Sequence, residues 1–277
     1  MSIENKVVKG FGDEWNKFDQ REVNDDKLKK IYEKYFSIFP WGVIGENSVG
    51  FDMGCGSGRW AKLTAPKVKK LYCIEPSSAL KVAKRNLRDF NNCFFESSTV
   101  ATCSLKKDSM DFGYSLGVLH HIPKTANAIK ECISFLKPKA PFLLYLYYDF
   151  DNKNFIYRYI WKVSELGRFV ISRLPFKVRY FISQFLAFFI YLPLAKFSLF
   201  CEKLGFNKKF IESIPLSFYR DLNFYSMRTD ALDRFGTILE QRFSKKEINK
   251  MMRNAGLENI IFSENSPYWC AVGFKKN

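Results

Sequence analysis

The chain has 277 residues, of which 47% are hydrophobic, so it can bury a sizeable core and is not generally disordered. A formal net charge of +16 indicates an anionic partner (nucleic acid, phospholipid or a phosphorylated substrate) or a basic surface that merely aids solubility. The seven cysteines form no C-x-x-C pair, so neither a zinc site nor a disulfide framework is indicated. The first residues contain no apolar signal region, and we expect a cytoplasmic protein.

Residues 1–45 are polar at first and then rich in aromatic side chains. Asp25 or Asp26 is placed to cap a helix that continues to about Phe36, with Leu28 and Tyr32 on one face. The aromatic residues either form a stripe packed on the core or cover a ligand.

From Val49 onward, strands and helices alternate. Strands are predicted over 49–53, 71–74, 93–96, 111–115 and 142–148, and helices over 59–65, 78–89 and 124–135. Because the strands are continuously apolar, the alternation predicts a parallel sheet covered by helices on both faces.

A glycine-rich turn follows the first strand. Gly54, Gly56 and Gly58 allow a tight bend and a close approach of the backbone to a ligand, as an adenosine-type cofactor requires. A dinucleotide fingerprint would have its third glycine at position 59, which is Arg59 here. Asp52 would repel a pyrophosphate but suits a ligand that carries an ammonium and a sulfonium, which favours S-adenosylmethionine over NAD.

Glu75 ends the second strand, where a carboxylate can accept hydrogen bonds from both ribose hydroxyls. Together, Asp52, the three glycines and Glu75 resemble the cofactor site of class I S-adenosylmethionine-dependent methyltransferases, of the small-molecule, type 11-like kind. The run Asp111–Ile122 is similar to that family's fourth strand and following loop, and Leu136–Ala140 to its usual helix-to-strand turn.

The resemblance covers about residues 45–150 and returns near 235–277. It implies a Rossmann-like seven-stranded, mostly parallel sheet with an antiparallel last strand, formed by residues 46–150 and 229–277. Near the end of the chain, Ser244 and Glu247 form a capping box for a helix that Gly256 closes. Strands over 259–263 and 268–274 would complete the sheet as a hairpin.

The same resemblance implies where the cofactor, S-adenosylmethionine, binds. Thr99 and Val100 would flank the adenine; many relatives carry an aspartate at the position of Thr99, so backbone groups are the candidates there. Ser115 and Leu116 would face the methionine part. In such enzymes a leading segment often lies over the cofactor, so residues 1–45 are expected to form a helical lid with Trp15 against the substrate. The full set of expected cofactor-binding residues is Asp52, Gly54, Cys55, Gly56, Gly58, Glu75, Thr99, Val100, Ser115 and Leu116.

Residues 151–228 interrupt the alternation and are predicted to be a basic, aromatic-rich helical insertion after the fifth strand. Between 151 and 210 there are eleven Lys or Arg against three Asp or Glu. The stretch 180–195 has no charge, yet it is shorter than the ~20 residues that span a bilayer. It forms either a buried cap helix, or a helix in the interface of an anionic membrane, which would place the protein peripherally at the inner membrane face.

Catalytic candidates follow the fourth and fifth strands. His120 and His121 are the only histidines, and an imidazole beside an acceptor hydroxyl is a suitable base. Of the two, His120 is the preferred base and His121 the preferred substrate contact. Tyr148 and Asp149 point to the substrate side by topology, although Asp149 is equally suited to capping the next helix. Arg228 and Arg234, in an expected polar loop over 224–237, could bind a phosphate or carboxylate or pair with neighbouring acids, as could Arg242 with Glu240.

We therefore predict a methyltransferase that acts on a small or lipid-linked acceptor, with oxygen of a sugar- or quinone-like molecule preferred. The alternative is an RNA or DNA methyltransferase that uses the basic surface. The loop after the fourth strand, Ser115–Val118, lacks the Asn or Asp followed by two prolines and an aromatic that enzymes methylating base amines usually carry. A binding protein without catalysis is disfavoured by the intact glycines and carboxylates.

Overall fold

The computed structural model describes residues 2–20, 25–153 and 155–277. Residues 1 and 21–24 of the predicted lid segment, and residue 154 of the predicted insertion, lie outside this description. The described residues form two compact units, which we call the sheet unit (2–20, 28–151 and 239–277) and the helical unit (25–27 and 152–238).

The sheet unit contains a seven-stranded sheet in the order β3-β2-β1-β4-β5-β7-β6. The first five strands are parallel, and β7 runs antiparallel to both β5 and β6. This confirms the predicted Rossmann-like fold with an antiparallel last strand. The strands are β1 Val49–Met53, β2 Lys70–Ile74, β3 Cys93–Glu96, β4 Phe112–Leu116, β5 Pro141–Tyr145, β6 Leu257–Phe262 and β7 Cys270–Lys275.

The helices in chain order are α1 Ile3–Lys17, α2 Asp25–Tyr35, α3 Ala61–Thr64, α4 Ala79–Asn86, α5 Thr125–Ser134, α6 Phe155–Ile171, α7 Phe176–Leu186, α8 Leu192–Lys203, α9 Lys208–Ser213, α10 Phe224–Gly236 and α11 Lys245–Asn254. Helix α1 lies in the segment expected to form a helical lid, whose helix bounds the sequence did not indicate; the side chain of Ser2 accepts the Asn5 N–H at its start. Helix α11 begins at the predicted capping box of Ser244 and Glu247.

Glycines in the two central strands let aromatic side chains cross the sheet surface. A Cβ on Gly50 of β1 would lie 2.3 Å from the ring of Phe112 in β4, and a Cβ on Gly113 of β4 would lie 2.3 Å from the ring of Phe51. Each ring therefore packs on a neighbour that lacks a side chain, and both phenylalanines are fully buried. This packing fixes β1 beside β4, whose carboxyl ends carry the predicted site.

The helical unit consists mainly of α6 to α10. The expected polar loop over 224–237 is instead helix α10, because Asn223 accepts the Ser226 N–H and starts a helix there. Residues 229–238, which the sequence assigned to the sheet domain, thus lie in the helical unit.

Helices α7 and α8 are joined by a π-helical turn, Ala187–Tyr191, and together form one continuous helix. This helix, Phe176–Lys203, has 28 residues and a mean hydropathy of 1.6 in its most apolar window, and only 28% of that window is buried. By length and composition alone it could cross a membrane. The helix extends beyond the uncharged stretch 180–195 at both ends.

Candidate functional site

The glycine-rich turn leaves the carboxyl end of β1 and is anchored to the end of β2. The backbone N–H groups of Gly54 and Cys55 both donate to the carbonyl of Ile74, at 2.8 and 3.0 Å. Gly54, Gly56 and Gly58 have φ angles of +80°, +54° and +79°, which side chains rarely allow. The turn is therefore held in one conformation at the edge of the sheet where a cofactor of this fold class binds.

The three glycines of the turn pack against different neighbours. A Cβ on Gly54 would lie 2.4 Å from Val118, and a Cβ on Gly58 would lie 2.8 Å from Leu87, so these two glycines allow close packing within the sheet unit. Gly56 faces the indole of Trp15, at 3.2 Å from where its Cβ would be. Gly56 thus allows helix α1 to approach the turn closely.

Glu75 is held in place by the same turn. Its Oε2 accepts the Gly56 N–H at 3.1 Å and its Oε1 accepts the Ser77 N–H at 3.0 Å. Each carboxylate oxygen has a second lone pair available. A carboxylate oriented by two backbone donors beside the glycine turn fits the pair of ribose hydroxyls that the sequence analysis assigned to it.

Asp52 lies at the centre of the sheet and is 1% exposed. Neither its Oδ2 nor the nearby hydroxyl of Tyr114 has a hydrogen-bond partner among the described residues. Burial raises the pKa of Asp52 to about 8; the charge on Glu75 adds to this, while Tyr114 and Arg59 act in the opposite direction. A buried acid with an unpartnered Oδ2 fits a cationic ligand, since a positive charge nearby would stabilise the carboxylate.

Two predicted adenine contacts lie after β3. Val100 is buried, whereas Thr99 is exposed and its side chain and N–H both contact the Thr102 hydroxyl, at 3.0 and 3.1 Å. The Thr99 N–H is therefore already engaged. The hydroxyl of Ser98, which the sequence analysis did not single out, is buried with no hydrogen-bond partner among the described residues and is a further candidate.

The remaining cofactor candidates are buried in the sheet unit. The Ser115 hydroxyl donates to the Met53 carbonyl at 2.9 Å, which ties β4 to β1. Leu116 and Cys55 are 5% and 3% exposed. Because the side chain of Ser115 is engaged within the sheet, its backbone is the part that remains for a ligand.

Helix α1 lies over the glycine turn and the start of α4. Gly12 packs on Ser78, whose hydroxyl accepts the Asn16 amide N–H at 2.8 Å. Trp15 contacts Gly56, and the guanidinium of Arg59 lies 5.2 Å from the Trp15 ring. The predicted lid residue Trp15 therefore borders the cofactor turn.

The two histidines after β4 have different surroundings. The Nδ1 of His121 lies 2.7 Å from the carbonyl oxygen of Leu239; since a carbonyl only accepts, this nitrogen carries the proton. The His121 Nε2 is buried with no partner among the described residues, and the ring contacts Phe11 edge-on at 4.7 Å. His120 is fully buried, and burial, with His121 and Arg242 adding to it, holds its pKa well below the ordinary range.

Sequence reasoning missed the residues that hold this histidine loop. The side chain of Gln241 donates to the carbonyls of His120 and Ile122 and to the Thr125 hydroxyl, at 2.8–3.2 Å. The ring of Tyr147 lies 4.0 Å from that of His120. These contacts join positions more than 100 residues apart in the case of Gln241, so no local sequence signal reveals them.

The other predicted catalytic residues have structural contacts. Asp149 accepts the Asp151 N–H at 3.0 Å and thereby closes a turn, and Tyr148 packs its ring on Phe150 and Tyr268. Strand β5 ends at Tyr145 rather than at Tyr148, so both residues lie in the connection that follows.

Arg228 and Arg234, the predicted anion contacts, belong to the helical unit. Arg228 donates to Gln184 and to the Tyr180 hydroxyl, and Arg234 pairs with Glu165. Both guanidinium groups are thus engaged by neighbouring helices of their own unit. Arg242, in the sheet unit, pairs with Glu240 at 2.8 Å as one of the two sequence alternatives expected.

Comparison with known proteins finds a family match within the sheet unit. Residues 51–144 match the family model of the methyltransferase domain. A candidate methyltransferase from Bacillus halodurans C-125 shares the fold, with 15% identity over 84% of this chain and 72% of that chain and a TM-score of 0.51. A chain of the complex between the Haloferax volcanii Trm112 methyltransferase activator and a candidate methyltransferase is also similar, at 12% identity over 91% and 95% and a TM-score of 0.51. No curated protein sequence matches the chain.

The fold and the glycine turn flanked by two carboxylates define a class I methyltransferase architecture. The family match agrees, since residues 51–144, which include the glycine turn and both carboxylates, form a methyltransferase domain of this class. Its cofactor is S-adenosylmethionine, and the unpartnered Asp52 Oδ2 together with the oriented Glu75 fits the cationic and ribose parts of that molecule.

Proposed function

We propose that the enzyme transfers a methyl group to a hydroxyl of a small or lipid-linked acceptor of the sugar- or quinone-like class. The observation that carries the proposal is the His121 Nε2, a buried nitrogen without a partner among the described residues. It lies beside Phe11 of helix α1, one helical turn from Trp15, which contacts the cofactor turn.

When bound, S-adenosylmethionine supplies an electrophilic methyl group, so the chain has to orient the acceptor and remove its proton. The Leu239 carbonyl fixes His121 as the tautomer with its proton on Nδ1, which leaves the Nε2 lone pair for the acceptor hydroxyl. His120 is a poorer base, because its pKa lies well below the ordinary range. We therefore assign the base to His121 and give His120 a packing role against Tyr147, which reverses the preference from the sequence.

The acceptor class is suggested by the rings around His121. Tyr147 lies between His120 and Tyr145, with centroids 4.0 and 6.0 Å apart, and Tyr35 packs edge-on against Tyr145 at 5.0 Å. Aromatic faces suit a flat or largely apolar acceptor, and phenol hydroxyls suit the polar groups of a sugar or a quinone-derived ring.

The test is methyl transfer from S-adenosylmethionine labelled in its methyl group. The purified enzyme is incubated with quinone-derived phenols, with lipid-linked sugars and with RNA in separate reactions. The proposal expects label on an acceptor hydroxyl in the first or second reaction. Label in RNA alone, or on nitrogen or carbon of the acceptor, overturns it.

With the acceptor in hand, His121→Ala is expected to lower kcat about 10²–10⁴-fold while leaving the affinity for S-adenosylhomocysteine unchanged. Added imidazole should restore part of the rate. A His121→Ala enzyme with an unchanged kcat would show that the base lies elsewhere.

A further inference from the structure

The helical unit has an apolar outer surface. In the sheet unit, the described large hydrophobic residues that are exposed are four scattered ones, Ile3, Val43, Phe94 and Ile261. All the other exposed large hydrophobic residues lie in α6 to α9 and the residues between them, and Leu166 and Phe181 are each 72% exposed. So much contiguous apolar surface is unusual for a protein surrounded by water.

In α6 five exposed apolar residues form one stripe, spaced by four, four, three and four positions: Phe155, Tyr159, Val163, Leu166 and Val170. Ile160 and Phe169 beside the stripe are exposed as well. The polar face of α6 points into its own unit. Glu165 binds Arg168 at 3.0 Å and also pairs with Arg234 of α10, and Arg168 donates to the Thr237 carbonyl at 2.9 Å. Helix α6 thus reverses the usual arrangement of a helix in a water-soluble protein.

The continuous helix α7–α8 has the same arrangement. Its exposed stripe comprises Val178, Phe181, Phe185, Phe188, Phe189, Ile190, Phe197 and Phe200, and the exposed Leu204 follows the last residue of the helix. Its buried side comprises the mostly small residues Ser183, Ala187, Tyr191, Ala195 and Ser198. The π-helical turn at Ala187–Tyr191 adds one residue to that turn of the helix.

Guanidinium groups occupy the interior of the unit while phenylalanines cover its outside. Arg179 is buried and donates to the Gly236 carbonyl at 2.8 Å, and Arg228 donates to the Tyr180 hydroxyl at 2.9 Å. Polar groups paired inside a bundle with apolar side chains outside are typical of helices that contact lipid.

The charge of residues 151–210 indicates which kind of partner the apolar surface binds. Residues 151–210 carry eleven Lys or Arg and three Asp or Glu. Lys162, Lys177, Lys196 and Lys203 are exposed on the helices that carry the stripes. A second copy of the chain would bring the same positive charge against this surface, and a nucleic acid would leave the aliphatic residues in water. An anionic lipid surface satisfies both the lysines and the apolar stripes.

We propose that the helical unit is a monotopic membrane anchor that lays α6 and α7–α8 in the interface of an anionic leaflet, with both stripes among the acyl chains and the lysines at the headgroups. The buried side of α7–α8 packs on α10 of the same unit, so this helix lies along the membrane rather than across it. The anchor begins after Asp151 and ends before Leu239. The carbonyl of Leu239 fixes the tautomer of His121.

The test is co-sedimentation of the full chain with vesicles of phosphatidylglycerol and phosphatidylcholine, compared with phosphatidylcholine alone. We expect binding to the mixed vesicles, weaker binding to the neutral ones, and a partial loss with added salt. Phe181→Ser, Phe185→Ser and Phe189→Ser should each lower the affinity about tenfold. The matched control is Phe94→Ser, an exposed phenylalanine of the sheet unit, which should leave vesicle binding unchanged.

Binding of S-adenosylhomocysteine, measured by calorimetry, reports whether each variant is folded. A variant that has lost only vesicle binding can therefore be distinguished from one that has not folded. Four results overturn the proposal: no sedimentation with either vesicle, binding that salt abolishes and the serine variants do not change, retention in the bilayer after alkaline carbonate extraction, or a soluble dimer that the serine variants dissociate. Carbonate resistance would show that the helix crosses the membrane.

Discussion

The imidazole Nδ1 of His121 lies 2.7 Å from the carbonyl oxygen of Leu239, a residue 118 positions further along the chain. This contact fixes which nitrogen of the ring carries the proton. The neighbouring His120 has no such partner: both of its ring nitrogens are buried without a hydrogen bond among the described residues. Two adjacent histidines of the same loop are therefore in chemically different states.

Nitrogen-15 NMR can observe these states directly, because the chain has only two histidines. We expect the Nδ1 of His121 to carry a proton, and His120 to remain neutral as the pH is lowered well below its ordinary pKa. A single His120→Gln variant assigns the signals. A proton on Nε2 of His121 would contradict the assignment of that nitrogen as the base.

Asp52 should couple cofactor binding to proton release. In the protein without ligand its pKa is about 8, so near neutral pH it is largely protonated, and a bound ammonium group would favour the ionised form. The affinity for S-adenosylhomocysteine is expected to rise with pH up to about 8. Calorimetry in buffers of different ionisation enthalpy should detect up to one released proton, and Asp52→Asn should release none. Equal proton release by both proteins would show that the ionisation of Asp52 is not coupled to cofactor binding.

The same carboxyl affects the stability of the ligand-free protein. Its folded pKa of about 8 exceeds the ordinary value of about 3.9, so the folded state binds more protons than the unfolded state between these limits. The free energy of unfolding should therefore decrease as the pH rises through this window and level off above it. In Asp52→Asn this decrease should be absent, as urea unfolding at several pH values would show.

Much of the sheet unit could be predicted because its signals are local. Apolar runs that alternate with helices indicate the strands and a parallel sheet, and the spacing of Ser244 and Glu247 indicates the start of α11. Asp52, Glu75 and the glycines could be assigned to a cofactor because each follows a strand, and parallel strands bring their carboxyl ends to one edge of the sheet.

The remainder depends on contacts between distant parts of the chain. Nothing near Gln241 in the sequence indicates that it holds the His120–His121 loop, and nothing near Leu239 indicates that it fixes a tautomer. In the helical unit, the periodicity of α6 identifies an apolar face but does not reveal whether protein, water or lipid covers it. The alternative that the sequence left open at 180–195 could therefore be addressed only once the exposed faces of the folded helices were known.

Substitutions of Gly54 and Gly256 distinguish the cost of a steric clash from the cost of backbone strain. Gly54→Ala places a Cβ 2.4 Å from Val118 at a φ of +80°, and should lower the free energy of unfolding by about 2–5 kcal/mol. Gly256→Ala has a positive φ but open space, so it should cost only the strain, about 1–2 kcal/mol. Adding Val118→Ala to Gly54→Ala should recover the stability loss by which Gly54→Ala exceeds Gly256→Ala, as urea unfolding would show. Additive effects of the two substitutions would show that the valine does not oppose the new side chain.

Glu75 is expected to contribute to cofactor binding through its charge and its orientation. In Glu75→Gln one carboxylate oxygen becomes an amide, which faces the N–H of either Gly56 or Ser77 and removes an acceptor from the ribose side. The affinity for S-adenosylhomocysteine should fall about 10–100-fold by calorimetry, since hydrogen bonds to a charged group contribute about 1.5–3 kcal/mol. The matched control is Glu96→Gln at the end of β3, where the carboxylate binds only Ser104 among the described contacts. An equal loss in both variants would mean that general charge, and not the oriented carboxylate of Glu75, attracts the cofactor.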